Sequence, residues 1–408
     1  MNWLDSASHH AWLSTHRTDL LGFGRHLARD DGGASWLDSE GRPDIGEGVH
    51  TWITARTLHV FGLGTLLGIP GCRRIAQAAL DGLRGPLHDA EYGGWYSHLG
   101  ADGRRAPGKS CYDHAFVTLA STTACHAELD GAREFMQEAS TTFTTRFWDE
   151  SAGLCHDHWD TAFEQLEHYR GLNANMHGVE AMLSLAGLTH DPVWLERAGR
   201  ISGFVAAVAE DNKWRIPEHY DADWNAELDY HIDRPDDRFK PYGATVGHAF
   251  EWARLFVHLA NAPAVEDAHT LVHAAERLFD QAVADGWQRD GHPGFVYTTD
   301  WDGTPVVSER MHWVLAEAIG AAAVLGRHTG EARYGDWYRR LWDHAADFYV
   351  DPDDGSWQHQ LDPTNRPANN VWHGKPDLYH AFQATLIPTQ PLYPMLAASV
   401  AENPPSTM

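Results

Sequence analysis

A short pattern, a glycine followed by aromatic and polar residues in alternation and then an Asp/Gly turn, returns six times along this chain. Its copies begin at Gly33, Gly94, Gly153, Lys213, Gly294 and Gly355, in steps of 61, 59, 60, 81 and 61 residues. Self-similarity at a near-constant period marks an architecture assembled from one repeated supersecondary unit. Alternation over a few positions beside Gly and Asp predicts short strands or hairpins. The stretches between the copies have helical periodicity. From Val193 to Ala209 the apolar residues are Trp194, Leu195, Ala198, Ile201, Phe204, Val205 and Val208, near the i, i+3, i+4, i+7 template, and His312 to Leu325 reads the same way.

Each unit has room for two helices of ordinary length and one hairpin, so the whole chain holds about twelve helices. Paired helices repeated in this way either stack as an open solenoid, which needs polar capping repeats, or close on themselves. The expectation is an all-α (α/α)6 barrel with short β-hairpins in the loops at one end. No Pro/Ser-rich linker divides the chain, and residues 1–408 are expected to form a single catalytic domain. The long fourth step marks an insertion, Asp223 to Tyr242, rich in Asp, Pro, Arg and aromatics. Long loops in compact domains often serve as lids.

Charge narrows the partners. A net charge of −26 without clustered Lys and Arg excludes nucleic acid, which requires basic footprints. Cys72, Cys111, Cys125 and Cys155 form no CxxC pair and read as reduced thiols. The start of the chain lacks a basic region followed by an apolar core, and the most apolar stretch, Val60 to Ile69, is too short to span a bilayer. These readings predict a cytoplasmic protein, monomeric or a small homo-oligomer, with no membrane partner. The 28 His and 18 Trp suit polyhydroxylated ligands, since Trp offers a flat apolar face and His a donor or acceptor near neutral pH.

A second series follows the same six-fold rhythm and places polar groups on otherwise apolar helices. Its members are Trp52-Ile-Thr-Ala-Arg56, Cys111-Tyr-Asp-His-Ala-Phe116, Asn173-Ala-Asn-Met-His-Gly-Val-Glu180, Gly247-His-Ala-Phe-Glu-Trp252, Glu309-Arg-Met-His-Trp313 and Lys375-Pro-Asp-Leu-Tyr-His380. One member per unit is what a central cavity lined by inner-helix N-termini requires. His177 and Glu180, and again His248 and Glu251, stand three apart on one helical face. A carboxylate there can accept one imidazole N–H and fix the tautomer for base catalysis, or simply satisfy a structural histidine. Di-metal bundles use Glu-x-x-His, the reverse order, and no HExxH is present, so no metal and no cofactor are expected. A glycoside hydrolase needs two facing carboxylates, and Asp113, Glu180, Glu251, Glu309 and Asp377 keep that reading open. No G-x-S-x-G, dinucleotide or Walker loop appears.

Taken together, Tyr112-Asp-His-Ala-Phe, Asn173-Ala-Asn-Met-His177, Gly247-His-Ala-Phe-Glu-Trp-Ala-Arg-Leu255 and Asp377-Leu-Tyr-His-Ala-Phe-Gln-Ala384 resemble the N-acylglucosamine 2-epimerase superfamily over nearly the whole chain. The resemblance implies an (α/α)6 barrel, without a metal requirement, that converts aldoses to ketoses or inverts C2. It implies that His248 and His380 are the acid/base pair, Glu251 the carboxylate beside the first, and Arg56 the arginine at the reacting oxygens. Tyr112, Asn173, His177 and Trp313 match positions that bind or open the sugar ring, and Glu180, one helical turn beyond His177, joins them as a candidate for binding the sugar. Arg238 resembles a substrate-contacting arginine of the sulfoquinovose isomerases. The ending Lys375-Pro-Asp-Leu-Tyr-His-Ala-Phe-Gln is similar to the branch of mannose and sulfoquinovose isomerases, and no tryptophan for a second sugar precedes His380. The implied substrate is a monosaccharide, with mannose preferred and a 2-epimerase outcome as the alternative.

Overall fold

The structure is a computed structural model describing residues 2–263, 265 and 267–403. Thirteen α-helices run through the described residues: α1 (Ala7–Phe23), α2 (Thr51–Leu66), α3 (Cys72–Arg84), α4 (Cys111–His126), α5 (Ala132–Thr142), α6 (Leu172–Thr189), α7 (Val193–Asp211), α8 (Val246–Ala260), α9 (Ala268–Gly286), α10 (His312–Thr329), α11 (Ala332–His344), α12 (Tyr379–Leu386) and α13 (Leu396–Glu402). The helices expected at Val193 to Ala209 and His312 to Leu325 are α7 and α10, each running a few residues further. No helix among the described residues is long and apolar enough to cross a membrane.

Successive helices alternate in character. In α2 every residue from Thr51 to Gly64 is buried, and in α8 every residue from Val246 to Leu259. Helices without a polar face can be stable only where other elements surround them. Their followers are amphipathic. Helix α3 buries Cys72, Ile75, Ala76, Ala79, Leu80 and Leu83, and α9 buries Leu271, Ala274, Ala275, Leu278, Phe279 and Ala282. This is the one-stripe spacing of a helix with its back to water. The pairs are α2/α3, α4/α5, α6/α7, α8/α9 and α10/α11. The sixth joins the two ends of the chain: Arg17 of α1 donates through Nε to Thr385 Oγ1 of α12 (3.1 Å) and through Nη2 to the Thr385 carbonyl (2.7 Å).

The chain groups into two compact units, one of Leu21–Ile201 with Lys375–Tyr379 and Pro394–Met408, the other of Met1–Leu20, Ser202–Gly374 and His380–Tyr393. In the first, α2, α4 and α6 carry the core, with α13 packed on all three. In the second, α8 and α10 do so. There a seam of aromatic and imidazole rings ties α1 to α11: His9 Nε2 is bonded to Tyr338 Oη (2.9 Å), and Trp357 Nε1 donates to His16 Nε2 (2.8 Å). Burial pushes both imidazoles down to about 4, so the seam is uncharged at neutral pH.

Hairpins set where each inner helix begins. Two-residue strands lead directly into α4, α8 and α10: Lys109–Ser110, Ala244–Thr245 and Arg310–Met311. Each pairs antiparallel with a strand of the next hairpin, His158–Trp159, Thr298–Thr299 and Gln360–Leu361 respectively. The leading glycines of the repeat sit in tight quarters. Gly294 has φ 113°, and a Cβ there would stand 2.6 Å from Arg310 Nε, so only glycine fits. At the fourth copy α7 is followed by a turn through Lys213 and Trp214, both left-handed, and the chain then runs on irregularly to the strand His219–Tyr220.

The insertion that follows has no helix or strand between residues 221 and 243. Its root is closed by His219 Nε2, bonded to the Pro241 carbonyl (2.9 Å). Near its end Arg238 lies over the Trp372 ring (4.9 Å) and donates through Nε to the Val371 carbonyl (3.2 Å), and Phe239 meets Trp372 edge-on.

Candidate active site

The repeat puts one candidate residue in the first two turns of each inner helix: Arg56 in α2, Tyr112 in α4, His177 in α6, His248 in α8, Trp313 in α10 and His380 in α12. Within the unit containing α8 and α10, His248 and His380 both pack on Trp313, with ring centroids 5.1 and 5.8 Å from the indole. The two imidazoles, 132 positions apart in the chain, therefore share one aromatic platform. Both are buried, at 7% and 5% exposure.

Each imidazole has its own carboxylate. His248 Nδ1 lies 2.7 and 2.6 Å from the two oxygens of Glu218, and His380 Nδ1 lies 2.9 Å from Glu317 Oε1. This corrects the expected pairing of His248 with Glu251. Glu251 shares the helical face of His248, but its Oε1 accepts instead from Arg254 Nη2 (3.4 Å), and Arg254 Nε donates to Glu317 Oε2 (2.7 Å). Burial alone would raise the Glu317 carboxyl. The Arg254 charge and the His380 bond outweigh it and hold the group at about 2.

Glu251, Glu317 and His380 bring ligand-type atoms within 4.8 Å of one another, the one arrangement in this unit's described residues able to hold a cation. The fully buried Arg254 guanidinium already pairs with both carboxylates, which fits poorly with a divalent ion in the same place.

In the other unit the centre is Arg56. Its Nη1 donates to Asp377 Oδ2 (2.5 Å) and its Nη2 to Tyr112 Oη (3.0 Å). Its guanidinium lies over Phe116 (4.2 Å), Tyr379 (4.7 Å) and Trp52 (5.0 Å). Ring faces carry negative potential, so this aromatic cage holds the cation in one orientation. Tyr379 Oη donates to Glu180 Oε2, and the same carboxylate oxygen stands 3.5 Å from His177 Nδ1. His177 packs on Phe116 and Tyr112 at 4.3 and 5.2 Å. Asn173 has a buried side-chain oxygen with no hydrogen-bond partner among the described residues.

Of the expected site residues, the structure groups Arg56, Tyr112, His177 and Glu180 in one unit and His248, Glu251, Trp313 and His380 in the other. Arg238 is instead engaged by Val371, Trp372 and His373 Nδ1 (3.4 Å). The five carboxylates of the hydrolase reading all have donors. Asp377 is held by Arg56, Glu180 by Tyr379, Glu251 by Arg254, Glu309 by Asn370 Nδ2 (2.8 Å) and Asp113 by Ser110 Oγ (2.5 Å). Glu218, Glu317, Arg254 and Tyr379 escaped the sequence reading as site residues. Glu317 had a usable signal, four residues after Trp313 and hence on its helical face. Glu218 had none, lying outside any helix.

The model of the N-acylglucosamine 2-epimerase (GlcNAc 2-epimerase) family matches residues 32–384. A D-mannose isomerase of Thermobifida fusca is 49% identical over 402 residues, covering 98% of each chain. One from Pseudomonas cannabina pv. alisalensis is 41% identical over 98% of this chain and 97% of its own. A crystal structure of D-mannose isomerase superposes with a TM-score of 0.86 at 26% identity, covering 93% of this chain and 97% of that one. The chain belongs to the N-acylglucosamine 2-epimerase family and is an isomerase of the all-α, (α/α)6-barrel class.

Proposed function

We propose that this isomerase interconverts D-mannose and D-fructose without a metal ion, with residues 1–408 acting as one catalytic domain. The observation that carries the reading is the pair of carboxylate-bound imidazoles, His248 and His380, on the single indole of Trp313. Its support from relatives is the 49% and 41% identity to D-mannose isomerases along the full chain.

In the proposed route the sugar ring opens to the free aldose. One imidazole removes the C2 proton; the C2–H electrons form the C1=C2 bond, and O1 takes a proton to give a cis-enediol. The O2–H proton then leaves as the C2 carbonyl forms, and C1 accepts a proton, giving the ketose. An imidazole suits this traffic because it exchanges protons near neutral pH. Arg56 is assigned the negative charge that develops on the reacting oxygens, a task for a guanidinium, which stays charged and can bridge two atoms. Tyr112, Asn173, His177, Glu180, Trp313 and Arg238 are assigned to binding the sugar.

The test is incubation with mannose and EDTA in D₂O, followed by proton NMR. Fructose carrying deuterium at C1 is the expected product. No fructose, or activity that disappears with the chelator, would overturn the proposal, and glucose in the mixture would make the enzyme a 2-epimerase.

A further inference from the structure

We infer that Glu218 is the positioning residue of His248, fixing its tautomer so that Nε2 presents the lone pair that exchanges the substrate proton. The inference rests on the reading of His248 as an acid/base group. Glu218 lies 30 positions before His248, ahead of the strand His219–Tyr220 at the root of the insertion. Both of its oxygens reach Nδ1, at 2.7 and 2.6 Å, and the carboxylate is 5% exposed. An ionised carboxylate only accepts, so Nδ1 must carry the hydrogen, and in a neutral ring Nε2 then has the lone pair.

Two features make this a dedicated arrangement. Glu218 is committed to His248 alone among the described residues, whereas Glu317, the partner of His380, divides its charge with Arg254. The imidazolium formed when His248 takes a proton is thus ion-paired with an undivided carboxylate already in place. The backbone that carries Glu218 is also braced on both sides: Tyr220 Oη donates to the Pro217 carbonyl (3.0 Å), and His219 closes onto Pro241. A partner held this way needs no reorganisation during the reaction.

The test compares Glu218→Gln with Glu218→Asp. The amide of Gln has nearly the shape of the carboxylate, but its NH₂ donates to Nδ1 and moves the ring hydrogen to Nε2, the wrong tautomer. For mannose isomerisation by Glu218→Gln, kcat is expected to fall ~10²–10⁴-fold with KM nearly unchanged. Glu218→Asp keeps an acceptor and recovers at least about tenfold of that loss. Long-range ¹H–¹⁵N correlation spectra of ¹⁵N-histidine-labelled protein read the tautomer directly: Nδ1–H in the parent and in Glu218→Asp, Nε2–H in Glu218→Gln. Wild-type kcat in Glu218→Gln, or an Nε2–H tautomer in the parent protein, would overturn the inference. The spectrum of the parent decides even if Glu218→Gln does not fold. A parent protein inactive on mannose would count against the proposed substrate, while the tautomer still tests Glu218.

Discussion

Replacing Arg254 by Met should destabilise the protein in a manner that depends on pH. The guanidinium is fully buried, 2.7 Å from Glu317 and 3.4 Å from Glu251. Methionine fills much of its volume but takes the cation away from two buried carboxylates. Breaking a buried ion pair in this way typically costs about 3–5 kcal/mol. The depressed Glu317 carboxyl points the same way: burial would raise it, and the Arg254 charge, together with the His380 bond, holds it at about 2. The sign follows from linkage. A depressed carboxyl contributes stability above its unfolded value of 4.5, and that stability is lost as pH falls toward 2. At about 2.1 cal/mol/K per residue, 408 residues unfold with an entropy of roughly 0.85 kcal/mol/K, so Tm at pH 7 should drop by roughly 4–6 °C. Thermal melts followed by circular dichroism at pH 7 and at pH 3 check both parts. A second substitution, Glu317→Gln, made on Arg254→Met should recover part of the loss, because it removes one of the two buried negative charges that Arg254 had offset. A drop below about 1 °C at pH 7, or the same gap at pH 3, would refute the argument.

Three further outcomes follow from the packing and electrostatics. Burial holds His16, His59 and His344 at about 4 and His114 at about 3, below the ordinary 6.5, so stability is complete above pH 6.5 and declines as pH falls toward 4; urea midpoints should fall, by about 1 kcal/mol per histidine at pH 5.5. Asp113, raised by burial to about 6, opposes this with the opposite sign and offsets only part of it. Tyr379→Phe removes one bond to the Glu180 carboxylate, worth about 1.5–3 kcal/mol, but keeps the ring under Arg56, whereas Asp377→Asn breaks the buried ion pair itself; Asp377→Asn should therefore lose more stability and more activity in parallel melts and rate assays. Leu278→Ala, in the buried stripe of α9, should cost about 2–5 kcal/mol in urea unfolding and leave KM unchanged.

Much of this architecture was legible because it repeats. The turns, five of them glycine-led, and the largely apolar helices recur at a near-constant period broken by one insertion, so a weak local signal is reinforced six times, and the residues that open α2, α4, α6, α8, α10 and α12 stand out as polar interruptions. What escaped lies off that rhythm. Glu218 sits in an irregular stretch after the two left-handed residues that follow α7, and it reaches His248 through tertiary folding, which no helical spacing announces. Glu251 showed the opposite hazard: the three-residue spacing from His248 was correct as geometry on α8, but the carboxylate accepts from Arg254 while His248 turns to Glu218. Arg254 itself looked like part of a motif with no distinguishable role, because a cation buried between two carboxylates on different helices is visible only once α8 and α10 are packed.

The most direct measurement of the central claim is the rate at which the C2 proton of mannose exchanges with D₂O, and fructose forms, in His248→Ala and His380→Ala, with folding verified by circular dichroism. Both variants are predicted to melt cooperatively and to lose at least ~10²-fold in each rate. Wild-type exchange and turnover in either folded variant would contradict the assignment of proton transfer to these two imidazoles.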